Sequence, residues 1–211
     1  MTPETNTAFQ DRRVDWDEVD LYRFFAAAFG APTRERFEWM QQPALADDLR
    51  NLWSKLGGEA EFSGLGNYES YQDYESTYLA LFDVGMPEPP IPLVESGHCK
   101  SQPAQQVALE VALFYDVLGL RADPAGYPLD HLVAQLEFLS AVRYACENVG
   151  EHGNRQGLAR LERDFLERHL MNWLPAVEEK LARAQPPFFW MACRMLNLFL
   201  RRRHAELKAV A

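Results

Sequence analysis

The chain is short of the features that most directly announce catalysis, metal binding or a membrane. Its three cysteines, Cys99, Cys146 and Cys193, are isolated, odd in number and form no CxxC pair. Neither a disulfide framework nor a thiolate zinc site is indicated, and a reducing compartment is expected. There is no Walker-type phosphate loop, no GxGxxG after a strand, no HExxH and no GxSxG, so the common enzyme signatures are missing. The histidines His98, His131, His152, His169 and His204 lack the spacing of a helix-borne metal site, and no metal is expected. No apolar run approaches the roughly 18 residues of a membrane span. The opening residues MTPETNTAFQDRRVDWDEVD hold no continuous apolar segment. Arg12 and Arg13 superficially look like a twin-arginine export signal, but acidic residues and Trp16 follow where an apolar stretch is required. A cytoplasmic protein is expected. Positive charge is also scarce: 21 Lys and Arg against 31 Asp and Glu give a net charge of -10. That balance opposes nonspecific attraction to nucleic acid or an anionic membrane and makes a basic partner more plausible.

What is present is a helical pattern. With 211 residues and 47% hydrophobic content the chain can bury a full core, and one domain spanning 1–211 is expected. Apolar spacings of three and four recur from Trp16 to Phe29, ended by Gly30-Ala31-Pro32. Thr33 is a candidate cap for a short helix through Met40, and Leu45, Leu49, Leu52 and Leu56 form a stripe stopped by Gly57-Gly58. Beyond a Gly-containing loop reaching Asn67, an aromatic helix runs from Tyr68 to Phe82. Five of the 13 prolines fall between Met86 and Pro103, making about 86–103 the principal internal linker. Helical spacing returns at Val107, Val111, Phe114 and Leu118. A further helix is predicted from Asp130 to about Val149, and another from near Gly157 or Leu158. In DFLERHLMNWLP, Pro175 ends one helix or starts the next. The segment from Phe188 to Leu200 is apolar nearly all round and predicts a central buried helix, with Arg201–His204 at its C-terminal dipole. No stretch alternates as a strand does, and no internal repeat is present. The fold class is all-α, a helical bundle with a proline-rich internal loop.

Three constellations stand out. In YPLDHLVAQLEF, Asp130 lies at a helix mouth, where a carboxylate can accept from first-turn amides. The plain reading is a cap with a solvated His131 beside it; the functional one is recognition. Tyr78, Leu81 and Phe82 are core residues by the usual fate of aromatic stripes, or a groove lining beside the long loop. The loop PEPPIPLVES is a rigid connector, or a preorganised surface on which Glu95 and Ser96 present oxygen acceptors. An acid–base set can be drawn from Asp130, His131 and Glu137, but no nucleophile or oxyanion site accompanies it, so a non-enzyme is expected.

Taken together and in this order, YLALF at 78–82, PEPPIPLVES at 87–96, EVALFYDVLGL at 110–120, PLDHLVAQLEFL at 128–139 and DFLERHLMNWLP at 164–175 resemble the TorD/DmsD family of redox enzyme maturation chaperones. VGMPEPPIPLVES looks nearest to the branch serving type II dimethyl sulfoxide reductase-like enzymes. The resemblance implies an all-helical, non-catalytic chaperone. Such a protein binds the catalytic subunit of a molybdoenzyme and its twin-arginine leader while bis-molybdopterin guanine dinucleotide is inserted into the client; the chaperone holds no cofactor stably itself. The family's binding surface corresponds by motif to Tyr78, Leu81, Phe82, Glu95, Ser96, Asp130 and His131. Leu129 intervenes after Pro128, where the family often has proline directly before the Asp-His pair, and Gln135 stands where an acidic residue is frequent. The resemblance leaves two alternatives: a guanine-nucleotide-binding or hydrolysing maturation factor, and a leader-independent helical adaptor. A monomer is the default expectation.

Overall fold

The computed structural model describes residues 16–58, 62, 68–99, 101–150 and 153–210. Arg12 and Arg13, most of the Gly-containing stretch before Asn67, and His152 lie outside them.

Among the described residues the secondary structure is helical throughout: α1 (Glu18–Phe29), α2 (Arg34–Met40), α3 (Pro43–Lys55), α4 (Tyr71–Tyr78), α5 (Ala104–Val117), α6 (Leu132–Asn148), α7 (Arg155–Arg168), α8 (Leu170–Ala184) and α9 (Phe189–Val210). The starts follow side-chain chemistry. Asp17, Thr33, Ser70 and Asn154 each accept from an amide in the first turn of α1, α2, α4 and α7, which satisfies donors the helix itself leaves unpaired. Gly119, at φ 69°, takes the left-handed conformation after α5 that an L side chain resists.

α1 lies along α6, α8 along α9, and α7 contacts α6, α8 and α9. Phe189, at the head of α9, is fully buried. Its ring meets Phe29, Tyr68, Tyr74, Tyr78, Phe82 and Phe188 at centroid distances of 5.0–6.3 Å. Further along that helix, Arg203 grips the buried Glu162 of α7 with two hydrogen bonds of 2.7 and 2.8 Å. The Tyr22 hydroxyl donates to the same carboxylate at 2.9 Å.

Four boundaries differ from the sequence expectation. The aromatic helix does not run regularly from Tyr68 to Phe82: α4 ends at Tyr78 and a wider π turn covers Leu79–Asp83. α6 begins at Leu132 rather than Asp130, because His131 serves as its cap. The break in DFLERHLMNWLP falls at His169, whose backbone leaves the helical region, and Pro175 lies inside α8. α9 continues to Val210, so Arg201–His204 sit within the helix and not at its end. Arg203 is there drawn into the core by Glu162.

Candidate functional site

The proline-rich segment, expected to be a linker, crosses the bundle and joins two of the predicted constellations. The Ile91 amide donates to the Leu81 carbonyl at 2.9 Å, and the Leu132 amide to the Leu93 carbonyl at 2.8 Å. Val94 forms an isolated antiparallel bridge with His131, and the Glu95 amide donates to the Asp130 carbonyl at 2.9 Å. Ile91 and Leu93 are buried. The segment is thus anchored by three consecutive buried residues, Ile91, Pro92 and Leu93, while its backbone is read by the mouth of α6. A single 3₁₀ turn, Glu95–Gly97, follows.

At this junction Glu95, Ser96, Asp130 and His131 come together. Asp130 does not cap α6. Its carboxylate instead accepts from the Ser96 amide at 3.0 Å, and it is 6% exposed. His131 caps in its place, with Nδ1 accepting from the Val133 amide at 3.2 Å and its ring stacked on Tyr127 at 4.3 Å. It is half-buried, not a solvated first-turn residue. Desolvation lowers its pKa from 6.5 to about 4, against the opposing pull of the Asp130 charge.

Glu95 is not the surface acceptor expected from its loop position. It is 3% exposed. Both its carboxylate oxygens lie 3.0 Å from His169 Nδ1, and one accepts from the Gln135 amide at 2.6 Å. Gln135 in turn accepts from the Trp173 indole N–H at 3.3 Å, and the His98 ring stacks on Trp173. A buried carboxylate needs such partners, since desolvation without them costs several kcal/mol or roughly that order. The hub ties the loop to α6 and to the α7–α8 break. Sequence reading gave His169, Trp173 and Gln135 no polar partner. The available signal was a histidine and an amide standing on otherwise apolar stripes.

The carboxylates also shape the local potential. Cys99 has its thiol pKa raised by burial and then by Glu95, Asp130 and Glu110. Tyr115, whose hydroxyl donates to the Leu129 carbonyl at 2.9 Å, is raised by burial and then by Glu137, Asp130 and Glu95. Negative charge therefore concentrates where α5, α6 and the loop meet.

Tyr78, Leu81 and Phe82 stand apart from this junction, linked to it through the loop backbone. Tyr78 and Phe82 are buried and pack on Phe189, and the Tyr78 hydroxyl donates to the Phe29 carbonyl at 3.2 Å. Leu81 is partly exposed, and beyond it Val84 and Met86 are open to solvent at 62% and 97%. A cavity of about 360 Å³ lies elsewhere, between α1, α3 and α9, lined by Trp16, Leu52, Lys55, Phe199, Arg202 and others. Among the described residues no group of three or more His, Cys, Asp or Glu is arranged to hold a metal. No described helix is long and apolar enough to cross a membrane.

The model of the family described as nitrate reductase delta subunit matches residues 42–179, which includes the proline-rich loop, the Asp-His pair and His169. The perchlorate reductase assembly chaperone protein of Dechloromonas aromatica (strain RCB) is 37% identical over 125 residues, 57% of this chain and 55% of that protein. The selenate reductase assembly chaperone protein of Thauera selenatis is 32% identical over 118 residues, 53% of this chain and 59% of that protein. The chain thus spans little more than half the length of the curated relatives it matches. A crystal structure described as a redox enzyme maturation protein, from Archaeoglobus fulgidus, aligns with a TM-score of 0.48 at 20% identity, covering 96% of this chain and 98% of that one.

Proposed function

The chain belongs to the nitrate reductase delta subunit family, and from that premise we propose that it is a system-specific, cytoplasmic assembly chaperone for a molybdoenzyme. It binds the catalytic subunit and its twin-arginine leader, and holds them while bis-molybdopterin guanine dinucleotide is inserted. The chaperone acts as a monomer, catalyses no reaction and keeps no cofactor. The relatives named as assembly chaperones for perchlorate and selenate reductases support this class of client.

The observation that carries the reading is the junction of the proline-rich loop with the mouth of α6. There Ser96 and His131 are half-buried and reachable, while Asp130 and Glu95 are locked behind them. A surface whose donors and acceptors are already fixed loses little entropy on binding. Its acidic character suits a leader that carries an arginine pair beside an apolar segment. Glu95 and Asp130 act mainly by holding the loop and setting the potential; Ser96 and His131 meet the client.

The decisive experiment is a calorimetric titration of the full chain with the leader peptide of the molybdoenzyme encoded beside its gene, and with a peptide whose arginine pair is replaced by lysines. Saturable binding that weakens with the lysine peptide is expected, because lysine cannot reproduce the bidentate geometry of arginine. Equal affinity for both peptides removes arginine recognition. Failure to bind either peptide or the whole catalytic subunit overturns the chaperone reading.

A further inference from the structure

α5 carries an apolar line on the side facing away from the core. Val107, Val111 and Tyr115 are buried, whereas Leu109, Leu113 and Val117 are 66%, 68% and 63% exposed, and Leu120, just past the helix, is 38% exposed. The three helical positions are four apart, so they stack on one face over about 12 Å at 1.5 Å per residue. Scattered surface leucines need no explanation, but a line of them along one exposed helix face does.

The charges carried by the helix itself are of one sign, although each is paired with an arginine from outside it. α5 contains no Lys or Arg and two carboxylates. Glu110 borders one flank, loosely paired with Arg168 at 3.7 Å; Asp116 borders the other, paired with Arg121. The 3₁₀ turn bearing Glu95 and Ser96 packs against this same helix.

We infer that the Leu109–Leu113–Val117 face of α5 is a docking surface for a cationic amphipathic helix, whose apolar stripe lies on the line and whose basic end reaches the carboxylates at its flanks. The inference rests on the reading of the chain as a leader-binding chaperone, and it gives the apolar half of the leader a place distinct from the Ser96–His131 junction. Self-association fits less well. Antiparallel pairing of two copies through α5 sets Glu110 beside Glu110 along one flank and Asp116 beside Asp116 along the other, and like charges oppose such contacts. Three side chains also bury far less than the roughly 1,000 Å² of a stable interface.

The test uses the full chain and a synthetic peptide with an adjacent arginine pair followed by several helical turns of leucine and alanine. The variant Leu109→Ser/Leu113→Ser/Val117→Ser alters side chains that are mostly solvated already, so its circular dichroism and Tm stay those of the parent. Its peptide affinity is expected to fall about tenfold or more, while Met86→Ser, on the other exposed apolar loop, leaves affinity unchanged. Glu110→Gln/Asp116→Asn weakens binding several-fold, by about that order, and flattens its salt dependence. Parent-like affinity of the triple variant overturns the assignment, as does sedimentation showing that the same variant dissolves a dimer of the parent. If the parent itself binds neither this peptide nor the catalytic subunit, the chaperone reading fails instead; binding of the subunit by parent and triple variant alike overturns the α5 surface alone.

Discussion

At the level of single residues, the most consequential finding is how His131 is used. Its Nδ1 is the acceptor that caps α6, and protonation turns that acceptor into a donor aimed at the Val133 amide. Burial keeps the folded-state pKa near 4, below the ordinary 6.5. Below about pH 6.5 the unfolded chain takes up a proton that the folded one refuses, so stability falls as pH drops from there towards 4 and this contribution then levels off. His131→Asn keeps a capping oxygen without the titration. Urea midpoints measured between pH 7 and pH 4, on a scale of roughly these pKa values, are expected to decline more steeply for the parent than for His131→Asn. Parallel decline in both would show that other groups carry the acid sensitivity.

At the level of elements, the loop 86–103 is no passive connector. It is pinned by backbone hydrogen bonds to Leu81 at one end and to the mouth of α6 at the other, and the Glu95 side chain reaches both Gln135 of α6 and His169 between α7 and α8. Removing that carboxylate strands two buried donors at once. Glu95→Ala is therefore expected to lose about 3 kcal/mol or more of unfolding free energy, with faster hydrogen exchange at the Glu95 and Ser96 amides than the global loss alone produces. An unfolding free energy within about 0.5 kcal/mol of the parent, the ordinary scatter of surface substitutions, would mean that the loop is held by its backbone bonds and the buried Ile91 and Leu93 without the hub.

At the level of the whole molecule, two features of α9 bind the bundle together. Phe189 anchors an aromatic cluster drawn from α1, α4, the π turn and the segment before α9. Arg203 is held by Glu162 of α7, whose carboxylate also accepts from the Tyr22 hydroxyl of α1. Phe189→Ala opens a void among rings that themselves hold one another and cannot collapse into it easily. The expected loss is about 3–5 kcal/mol, read from denaturant unfolding with an unchanged m-value. A loss nearer that of a surface substitution would place the centre of the core elsewhere. Because Tyr78 and Phe82 belong to this cluster, alanine at either position disturbs the core. The exposed α5 side chains therefore report on client contact more cleanly than those two.

Most of the helices were legible in the sequence, because each is written by local physics: a capping oxygen, an apolar period near 3.6 and a glycine or proline stop. The cap at Thr33 depends on neighbours within a few residues and was read as one, whereas Ser70 was read inside a helix expected from Tyr68 and Asn154 was not read as a cap. The gathering of Glu95, Ser96, Asp130 and His131 was anticipated only through a family resemblance, since nothing local links positions 35 residues apart. The substitution of His131 for Asp130 as cap was not legible at all. Both side chains suit the position, and the choice was made by the Ser96 amide, which arrives from a distant loop and takes the carboxylate. Likewise His169 breaks a helix that Pro175 was expected to break, because Glu95 holds its imidazole from another part of the chain. The sequence by itself determined where helices form and which faces are apolar. Tertiary structure alone decided which polar groups are buried and with whom, because a buried polar group must find a partner wherever the fold supplies one, however far away along the chain.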